Sequence, residues 1–374
     1  MVGLLRSAAP LVFPESMAVH DKNKLTFMLS VKDFRKEAEK ILPPHVFDFI
    51  DGGAMDEHAM IRNQRARDDA VFTPRVLCNI TSPDLSKEFF GHKASSPLII
   101  APTAYQKLVH PEGERAMLCA ANTMNTIFTV GMFSTTDYEI LAREAQVPLW
   151  AQMYFLKDSS VNDAYIRKVT ELGYQALVVT VDAPVYGKRE REIKSPLHFP
   201  SMLSFDHLIS LGLPFGACLK DTTHFSSLIN PSISWNDIND LRSKTSLPII
   251  LKGILHPKDT EIALTMPHVK GIIVSNHGGR QFDGAPAAMD VLEQHRRLAP
   301  KNFHIFVDGA MERGPLFLKS LALGANGILL GRSMLWALAV GGEEGVTHLL
   351  RIMMKELSES LHLCGCPSVH DVTF

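Results

Sequence analysis

Short runs of consecutive apolar residues alternate with segments of helical periodicity along most of the chain, from residue 97 onward. Uninterrupted apolar runs of this length are typical of strands buried on both faces, as in a parallel sheet covered by helices. Eight runs follow one another, and eight strand–helix units favour closure into a (β/α)8 TIM barrel over an open doubly wound sheet. The predicted fold class is therefore α/β. The predicted strands are 98–101, 127–130, 149–152, 176–181, 249–251, 271–274, 305–307 and 328–330. The predicted helices are 113–124, 138–145, 161–172, 257–265, 287–299, 313–323, 332–340 and 344–361.

The segment before the barrel is less regular. Residues 1–29 are loosely patterned and are expected to form an irregular N-terminal extension. Ser30 and Asp33 match an N-cap and an acidic first turn, so a helix is expected to open there and to end near Pro43. The expected domain is residues 30–370, a barrel with an N-terminal helical extension.

One connection, at about 183–246 after the fourth predicted strand, is far longer than the others. Loops of this length are usually functional lids or disordered segments. Its glycines, its prolines and a hydroxyl-rich stretch at 222–227 suit a mobile cover. The sequence therefore predicts a lid over the mouth of the barrel.

The composition is that of a globular enzyme, with 374 residues, 46% hydrophobic and 21% charged. The net charge is −2, from 38 basic and 40 acidic side chains, and gives no electrostatic reason to expect nucleic acid or an anionic membrane as partner. No apolar stretch reaches the ~18 residues that a membrane helix needs. The expected partner is a small molecule.

The five cysteines are scattered, odd in number and without the spacing of a zinc site, so no metal is expected. They are interpreted as free buried thiols in a reducing compartment. A Ser-Lys-Leu type of peroxisomal address is not found at the last residues, and residues 1–29 lack the arginine and serine typical of a transit peptide. We therefore expect a cytoplasmic protein.

Polar or charged residues follow seven of the eight predicted strands, and the second strand ends at Gly131. In a TIM barrel the active site is built from the C-terminal ends of the strands. These side chains are therefore expected to meet at one mouth.

The segment SNHGGRQ (residues 275–281), directly after the sixth predicted strand, carries the most specific chemistry. A histidine such as His277 is able to remove a proton near neutral pH, because its ordinary pKa is ~6.5. An arginine such as Arg280 binds a carboxylate bidentately, a geometry that lysine does not reproduce. The two glycines allow backbone to approach a flat ligand closely.

The chain resembles the FMN-dependent 2-hydroxy acid oxidases and dehydrogenases, the glycolate oxidase-like family. The resemblance spans about residues 30–370 and rests on several motifs in one order, which makes it specific. Besides residues 275–281 the matching segments are APTA (101–104), HPEG (110–113), QMY (152–154), TVDAP (180–184), PIILKG (248–253), DG (308–309), LALGA (321–325) and GR (331–332).

The resemblance implies an FMN enzyme that oxidises a 2-hydroxy acid to the 2-oxo acid, with a hydride passed to flavin N5. It implies that His277 is the base, that Asp182 orients it, and that Lys252 stabilises negative charge on the reduced flavin. The electrons would then pass to O2 or to a soluble acceptor. Relatives are commonly oligomeric, so a homo-oligomer is expected.

The resemblance also implies which residues bind the ligands. Tyr154, Arg189, Arg280 and Phe49 would face the substrate. The phosphate is expected after the seventh and eighth predicted strands, where such barrels usually bind it. The residues that would contact FMN are Pro102, Thr103, Ala104, Gly131, Gln152, Thr180, Lys252, Ser275, Asp308, Gly309, Arg313, Gly331 and Arg332.

Four positions depart from the family pattern. Phe49 replaces a substrate-facing tyrosine, Gly131 replaces a serine that contacts FMN, and Phe133 stands where tryptophan is usual. Glu312 replaces a phosphate-binding arginine, although Arg313 follows it directly. The absence of a tyrosine hydroxyl at position 49 implies a substrate other than glycolate.

Three interpretations remain open at this stage. The first is the oxidation of a 2-hydroxy acid. The second keeps the flavin and the base but oxidises a C–N or C–C bond of a bulkier carboxylic acid, in specialised metabolite biosynthesis. The third is a barrel kept as a partner protein without turnover, with or without a bound flavin.

Overall fold

The computed structural model describes residues 25–68, 71–197, 199, 203, 205–213 and 227–372. Strands β3 to β10 form a closed barrel in which each strand pairs in parallel with the next and β10 returns to β3. The prediction of a (β/α)8 barrel with eight strands is confirmed, and each barrel strand overlaps its predicted run. The strands are β1 Lys87–Phe89, β2 His92–Ala94, β3 Leu98–Ile100, β4 Phe128–Val130, β5 Leu149–Met153, β6 Ala176–Thr180, β7 Ile249–Ile254, β8 Val269–Val274, β9 His304–Val307 and β10 Gly327–Leu330.

The helices cover the barrel as the apolar periodicity predicts, and the eight predicted ones are found within three residues of their expected bounds. The last two form one long element, α13, which is interrupted by non-helical backbone at Gly341 and Gly342. The helices are α1 Val31–Ile41, α2 Pro44–Asp51, α3 His58–Asp68, α4 Gly113–Met124, α5 Tyr138–Glu144, α6 Ser159–Glu171, α7 Glu190–Lys194, α8 Asp206–Ile209, α9 Trp235–Asp240, α10 Pro257–Leu264, α11 Ala288–Leu298, α12 Gly314–Ala322 and α13 Arg332–Cys364.

The segment before the barrel contains more structure than the sequence indicated. The predicted first helix is α1, and it ends before Pro43 as expected. A second helix, α2, begins directly at Pro44, where proline suits a first helical turn. A third, α3, follows, and Asp283 accepts a hydrogen bond from Ala59 at its start (2.8 Å). These helices lie beside the barrel mouth.

Strands β1 and β2 form an antiparallel hairpin that was not predicted from the sequence. The hairpin delivers Phe89, fully buried, to the interior cluster of the barrel. There Phe89 packs edge-on against Trp150 and in a tilted contact with Phe306. Residues on the inward face of the strands thus fill the barrel with packed aromatic and aliphatic side chains.

The described part of the predicted lid at 183–246 contains helices, and its role as a lid stays a prediction. Its last part contains α9 (Trp235–Asp240), which begins with a capping box at Ser234. Its first part contains α7, which contacts α2. The hydroxyl-rich stretch at 222–227 lies outside the described residues, apart from 227.

Four cysteines are free, as predicted, but they are half-buried rather than buried, and Cys218 lies outside the described residues. Among the helices of the described ranges, none has the length and apolar character that a membrane crossing requires. The expected boundary at residue 30 stays a prediction, although Leu25 and Met28 are buried.

Candidate active site

A cavity of about 590 Å³ opens at the C-terminal ends of the barrel strands, beside α1, α2 and α3. This volume lies within the range of small-molecule and cofactor sites, ~300–1,000 Å³. The structure brings most of the predicted site residues together on its wall: Phe49, Pro102, Thr103, Ala104, Gln152, Tyr154, Arg189, Lys252, His277, Arg280, Asp308, Gly309, Gly331 and Arg332.

His277 lies in the cavity wall and is oriented from behind by a carboxylate. Its Nδ1 is 2.9 Å from Oδ1 of Asp182. With a carboxylate as its partner, Nδ1 carries the proton, so the lone pair is on Nε2, which has no partner among the described residues. Burial lowers the pKa of His277, and the charge of Asp182 opposes that effect. The imidazole is therefore held neutral with a free basic nitrogen.

Lys252 is a buried cation on β7 within the site. Its Nζ lies 3.3 Å from Oδ2 of Asp308 and donates to Oγ of Ser275 at 3.2 Å. Burial alone would lower the pKa of Lys252, but Asp308 and Asp182 outweigh it and raise the pKa. Lys252 is therefore a permanent positive charge in the cavity wall. Ser275 also accepts from the backbone N–H of His277 (2.9 Å), which links the two functional side chains.

Arg280 presents one free edge. Its Nη1 donates to the carbonyl oxygens of Ile50 and Gly52, at 3.1 and 2.7 Å. Its Nε and Nη2 have no hydrogen-bond partner in the described part of the chain. These two nitrogens form the edge of a guanidinium that takes a carboxylate bidentately.

Arg189 is buried (7% exposed) and is held by a cluster that the sequence analysis missed. Its guanidinium lies over the ring of Tyr186, 3.9 Å from the centroid, and donates to that residue's hydroxyl. The Tyr186 hydroxyl in turn donates to Glu192, whose carboxylate is 3.6 Å from Arg189. Arg189 is thus fixed in place and partly neutralised.

The cavity carries an excess of buried positive charge. Burial, with the charges of Arg189 and Arg332, lowers the pKa of Arg280 to about 9. Burial likewise lowers the pKa of Arg332. A bound anion would relieve this repulsion, so the site favours negatively charged ligands.

Two predicted contact residues lie one layer behind the cavity wall. Gln152, on the wall, donates to Oγ1 of Thr180 (3.0 Å) and accepts from the backbone of Met132 (3.1 Å), so Thr180 positions it. Gly131 is buried, and a Cβ there would lie 3.2 Å from the carbonyl oxygen of Thr103. Glycine therefore lets these two loops pack closely.

Arg313, which was expected to contact the FMN phosphate, does not line the cavity. This residue is exposed and pairs with Glu356 (3.0 Å), away from the cavity wall, whereas Glu312 lines the cavity. Arg332 lines the cavity and donates to the carbonyl oxygens of Ile50, Gly52 and Gly278. Its Nη1 has no hydrogen-bond partner among the described residues.

Cations from the N-terminal helix, which the sequence analysis did not single out, also line the cavity. Arg35 forms two hydrogen bonds with Asp51, at 2.7 and 2.8 Å, and its guanidinium lies 5.9 Å from the ring of Trp336 in the first turns of α13. Lys32, three residues earlier on α1, is exposed at the cavity edge. Tyr105 and Tyr186 are further lining residues that had been missed.

The residues present fit FMN. Gly309 has a φ of +101°, which favours glycine, and a Cβ there would lie 3.3 Å from the Asn63 side chain. A Cβ at Gly331 would find only one atom, at 4.0 Å, so the backbone at Gly331 is open. The buried Oδ1 of Asp308 has no partner among the described residues, as expected of a group that meets a ligand. Lys252 and Arg332 place two positive charges in the cavity wall, which suit an anionic group such as a phosphate.

Comparisons with known proteins agree with this chemistry. Residues 38–373 match the family described as FMN-dependent dehydrogenase. A peroxisomal (S)-2-hydroxy-acid oxidase of Oryza sativa subsp. japonica is 37% identical over 352 residues, which cover 92% of this chain and 94% of the relative. A 2-hydroxyacid oxidase of Dictyostelium discoideum is 35% identical over 354 residues, covering 94% and 90%. A crystal structure of mandelate oxidase with (S)-4-hydroxymandelic acid superposes with a TM-score of 0.85 at 32% identity, covering 91% and 96%.

Proposed function

This chain belongs to the FMN-dependent dehydrogenase family and is an FMN-dependent oxidoreductase of the 2-hydroxy acid oxidase type, and on that premise we propose that His277 is its catalytic base. The observation that carries the proposal is the pairing of His277 with Asp182 (2.9 Å) in the wall of the cavity that Arg280 also lines. A base and a carboxylate-binding group in one cavity match the two functional groups of a 2-hydroxy acid.

Substrate binding begins with the carboxylate. The free Nε and Nη2 of Arg280 would receive it bidentately, and Arg189 would add a second positive charge from its fixed position over Tyr186. Tyr154, also on the wall, would donate a hydrogen bond. Holding the carboxylate in this way directs the neighbouring hydroxyl group toward His277.

The oxidation requires loss of the hydroxyl proton and loss of the hydrogen on the same carbon with its electron pair. Nε2 of His277 would take the hydroxyl proton, and Asp182 would stabilise the imidazolium that results. Bound FMN supplies the acceptor for the electron pair. Lys252, kept charged by Asp308 and Asp182, would stabilise negative charge that develops within the cavity.

The substrate proposed here is larger than glycolate. Phe49 and Phe133 place apolar rings in the cavity wall, and Tyr105 lies between them with ring centroids at 6.2 and 6.1 Å. Aromatic walls of this kind favour an apolar or aromatic substrate side chain. Two of the mandelate oxidase structures among the neighbours carry acids of that class, (S)-mandelic acid and (S)-4-hydroxymandelic acid.

Oxidation of a C–N or C–C bond is not favoured, because the relatives reported above are named as oxidases of 2-hydroxy acids. The test is anaerobic bleaching of the bound flavin by a panel of 2-hydroxy acids and matched 2-amino acids. We expect bleaching by bulky 2-hydroxy acids and little by the amino acids. Full flavin occupancy with no bleaching by any 2-hydroxy acid would overturn the proposal, and would favour the reading of a partner protein without turnover.

Three finer statements belong to the same proposal. O2 is proposed as electron acceptor, and peroxide release during turnover is the measurement that checks it. A homo-oligomer is proposed from the family resemblance, and light scattering of the holoenzyme tests it. A cytoplasmic location is proposed, although the relatives from Oryza and Arabidopsis are named peroxisomal, and cell fractionation against a peroxisomal marker would decide between the two.

A further inference from the structure

Tyr105 lies on the loop after β3, directly after the predicted FMN contacts at 102–104. It is 5% exposed and lines the cavity. Its φ of +59° is in the left-handed region, which a residue with a side chain occupies only when the surroundings hold it there. Its backbone N–H donates to the carbonyl oxygen of Phe133 (3.1 Å), which fixes this conformation. The fold thus holds a tyrosine ring in the wall of the site against a backbone cost.

The hydroxyl of Tyr105 is unusual among the tyrosines of the chain. Those of Tyr138, Tyr165 and Tyr174 each donate to a backbone carbonyl, and that of Tyr186 donates to Glu192. The Tyr105 hydroxyl has no hydrogen-bond partner in the described part of the chain. Because Tyr105 lines the cavity, a group from a bound ligand is expected to accept a hydrogen bond from this hydroxyl.

The surroundings of Tyr105 specify the charge of that group. Burial raises the pKa of Tyr105 well above 10, and the nearby Tyr186, Tyr154 and Glu192 add to the effect while Arg189 opposes it. The hydroxyl therefore remains protonated and acts as a donor. Arg189 and the free edge of Arg280 supply two positive charges on this side of the cavity, against one negative charge on Glu192.

We propose that the Tyr105 hydroxyl is a substrate-binding group that donates a hydrogen bond to the carboxylate of the 2-hydroxy acid, beside Arg189 and Arg280. The ring of Phe49 lies 6.2 Å from that of Tyr105 and carries no hydroxyl. The phenol donor that the family pattern would put on α2 is thus supplied from the loop after β3. The inference rests on the proposed function for the identity of the ligand.

The test uses the FMN-loaded enzyme and the binding of two carboxylates that cannot be oxidised as 2-hydroxy acids, phenylacetate and 4-hydroxyphenylacetate. Binding is measured from the change in flavin absorbance, so the result does not depend on turnover. Tyr105→Phe removes only the hydroxyl. Because a hydrogen bond to a charged group is lost, we expect both acids to bind about 10- to 100-fold more weakly, with unchanged FMN content.

Tyr174→Phe is the matched control, since its hydroxyl is buried and bonded outside the cavity, and we expect it to leave both dissociation constants unchanged. Adding Phe49→Tyr to the Tyr105→Phe variant is expected to restore part of the lost affinity. Unchanged binding of both acids by Tyr105→Phe would overturn the inference. A loss confined to 4-hydroxyphenylacetate would overturn it too, because the hydroxyl would then contact the substrate side chain. Failure of 2-hydroxy acids to bleach the flavin would contradict the proposed function and leave this binding result intact.

Discussion

Asp182→Asn removes the charge that faces His277 and keeps an oxygen that accepts the Nδ1 hydrogen bond. The bond is 2.9 Å long, and both side chains retain some exposure, 14% and 19%. Full Coulomb attraction at ~4 Å with an effective dielectric constant of 20 would be ~4 kcal/mol. A hydrogen bond to a charged group contributes about 1.5–3 kcal/mol. We use this lower range for the His277–Asp182 pair because both side chains are partly exposed. It corresponds to about one to two pKa units.

The direction of the effect follows from the two influences on His277. Burial lowers its pKa and Asp182 raises it, so loss of the charge lowers the pKa further. Because the neutral imidazole is the active base, activity that is lost at low pH would then be lost at a lower pH, shifted by about one to two units. The maximal rate is expected to fall about 10- to 100-fold, since the imidazolium formed in the reaction is less stabilised.

The assay is anaerobic stopped-flow reduction of the bound flavin by one 2-hydroxy acid, measured across the acid range. Asp158→Asn serves as control, because Asp158 is an exposed N-cap of α6 and does not line the cavity. A shift of the acid limb to higher pH, or an unchanged maximal rate, would refute the reasoning.

Three further predictions concern the cofactor, the stability and the packing of the site. Glu312→Gln removes a negative charge from the cavity wall, and the FMN phosphate carries about −1.5 to −2 charges. We therefore expect FMN to bind ~3- to 10-fold more tightly, as measured by fluorescence titration of the apoprotein. Weaker binding would contradict this prediction. Asp51→Asn breaks ion pairs with two arginines, one at 2.7 Å and one at 2.8 Å, and should cost about 1–3 kcal/mol in urea unfolding at pH 7. Burial alone would raise the pKa of Asp51, but its arginines lower that pKa. The stabilisation is therefore present above the unfolded value of ~3.9 and is lost as the pH falls through the folded pKa. A difference in unfolding free energy between Asp51→Asn and wild type that grows toward low pH would oppose this. Gly253 has a φ of +106°, and Gly253→Ala places a Cβ 2.4 Å from Cγ of Asp182. Because this clash displaces Asp182, flavin reduction should slow while the FMN content stays unchanged. A wild-type rate of reduction would show that Asp182 need not stay in place.

The sequence predicted the barrel because each strand is an uninterrupted apolar run between helical segments. It did not predict the hairpin β1–β2, since strands of three residues such as Lys87–Phe89 and His92–Ala94 have no recognisable apolar alternation. Phe89 fills the barrel interior only through contacts with residues far along the chain. Helix α3 was missed because it shows no apolar stripe and is held by a distant partner, Asp283.

The candidate site was predicted in part for similar reasons. Residues at strand ends, such as His277 and Lys252, follow directly from the order of strands in a barrel. Arg313 was assigned to the phosphate, but its partner Glu356 is on another helix and no local pattern indicates that pairing. Tyr105 and Tyr186 lie within three residues of predicted contacts, at 102–104 and 189, and that proximity on a loop was the available signal.

The most direct test of the account is the rate of anaerobic flavin reduction in His277→Ala, with FMN content measured on the same preparation. The account predicts a protein that still binds FMN, reduces it about 100- to 10,000-fold more slowly, and recovers part of the rate when free imidazole is added. Reduction of the flavin by the same 2-hydroxy acid at the wild-type rate would contradict the assignment of the base, and with it the mechanism built on the pairing of His277 and Asp182.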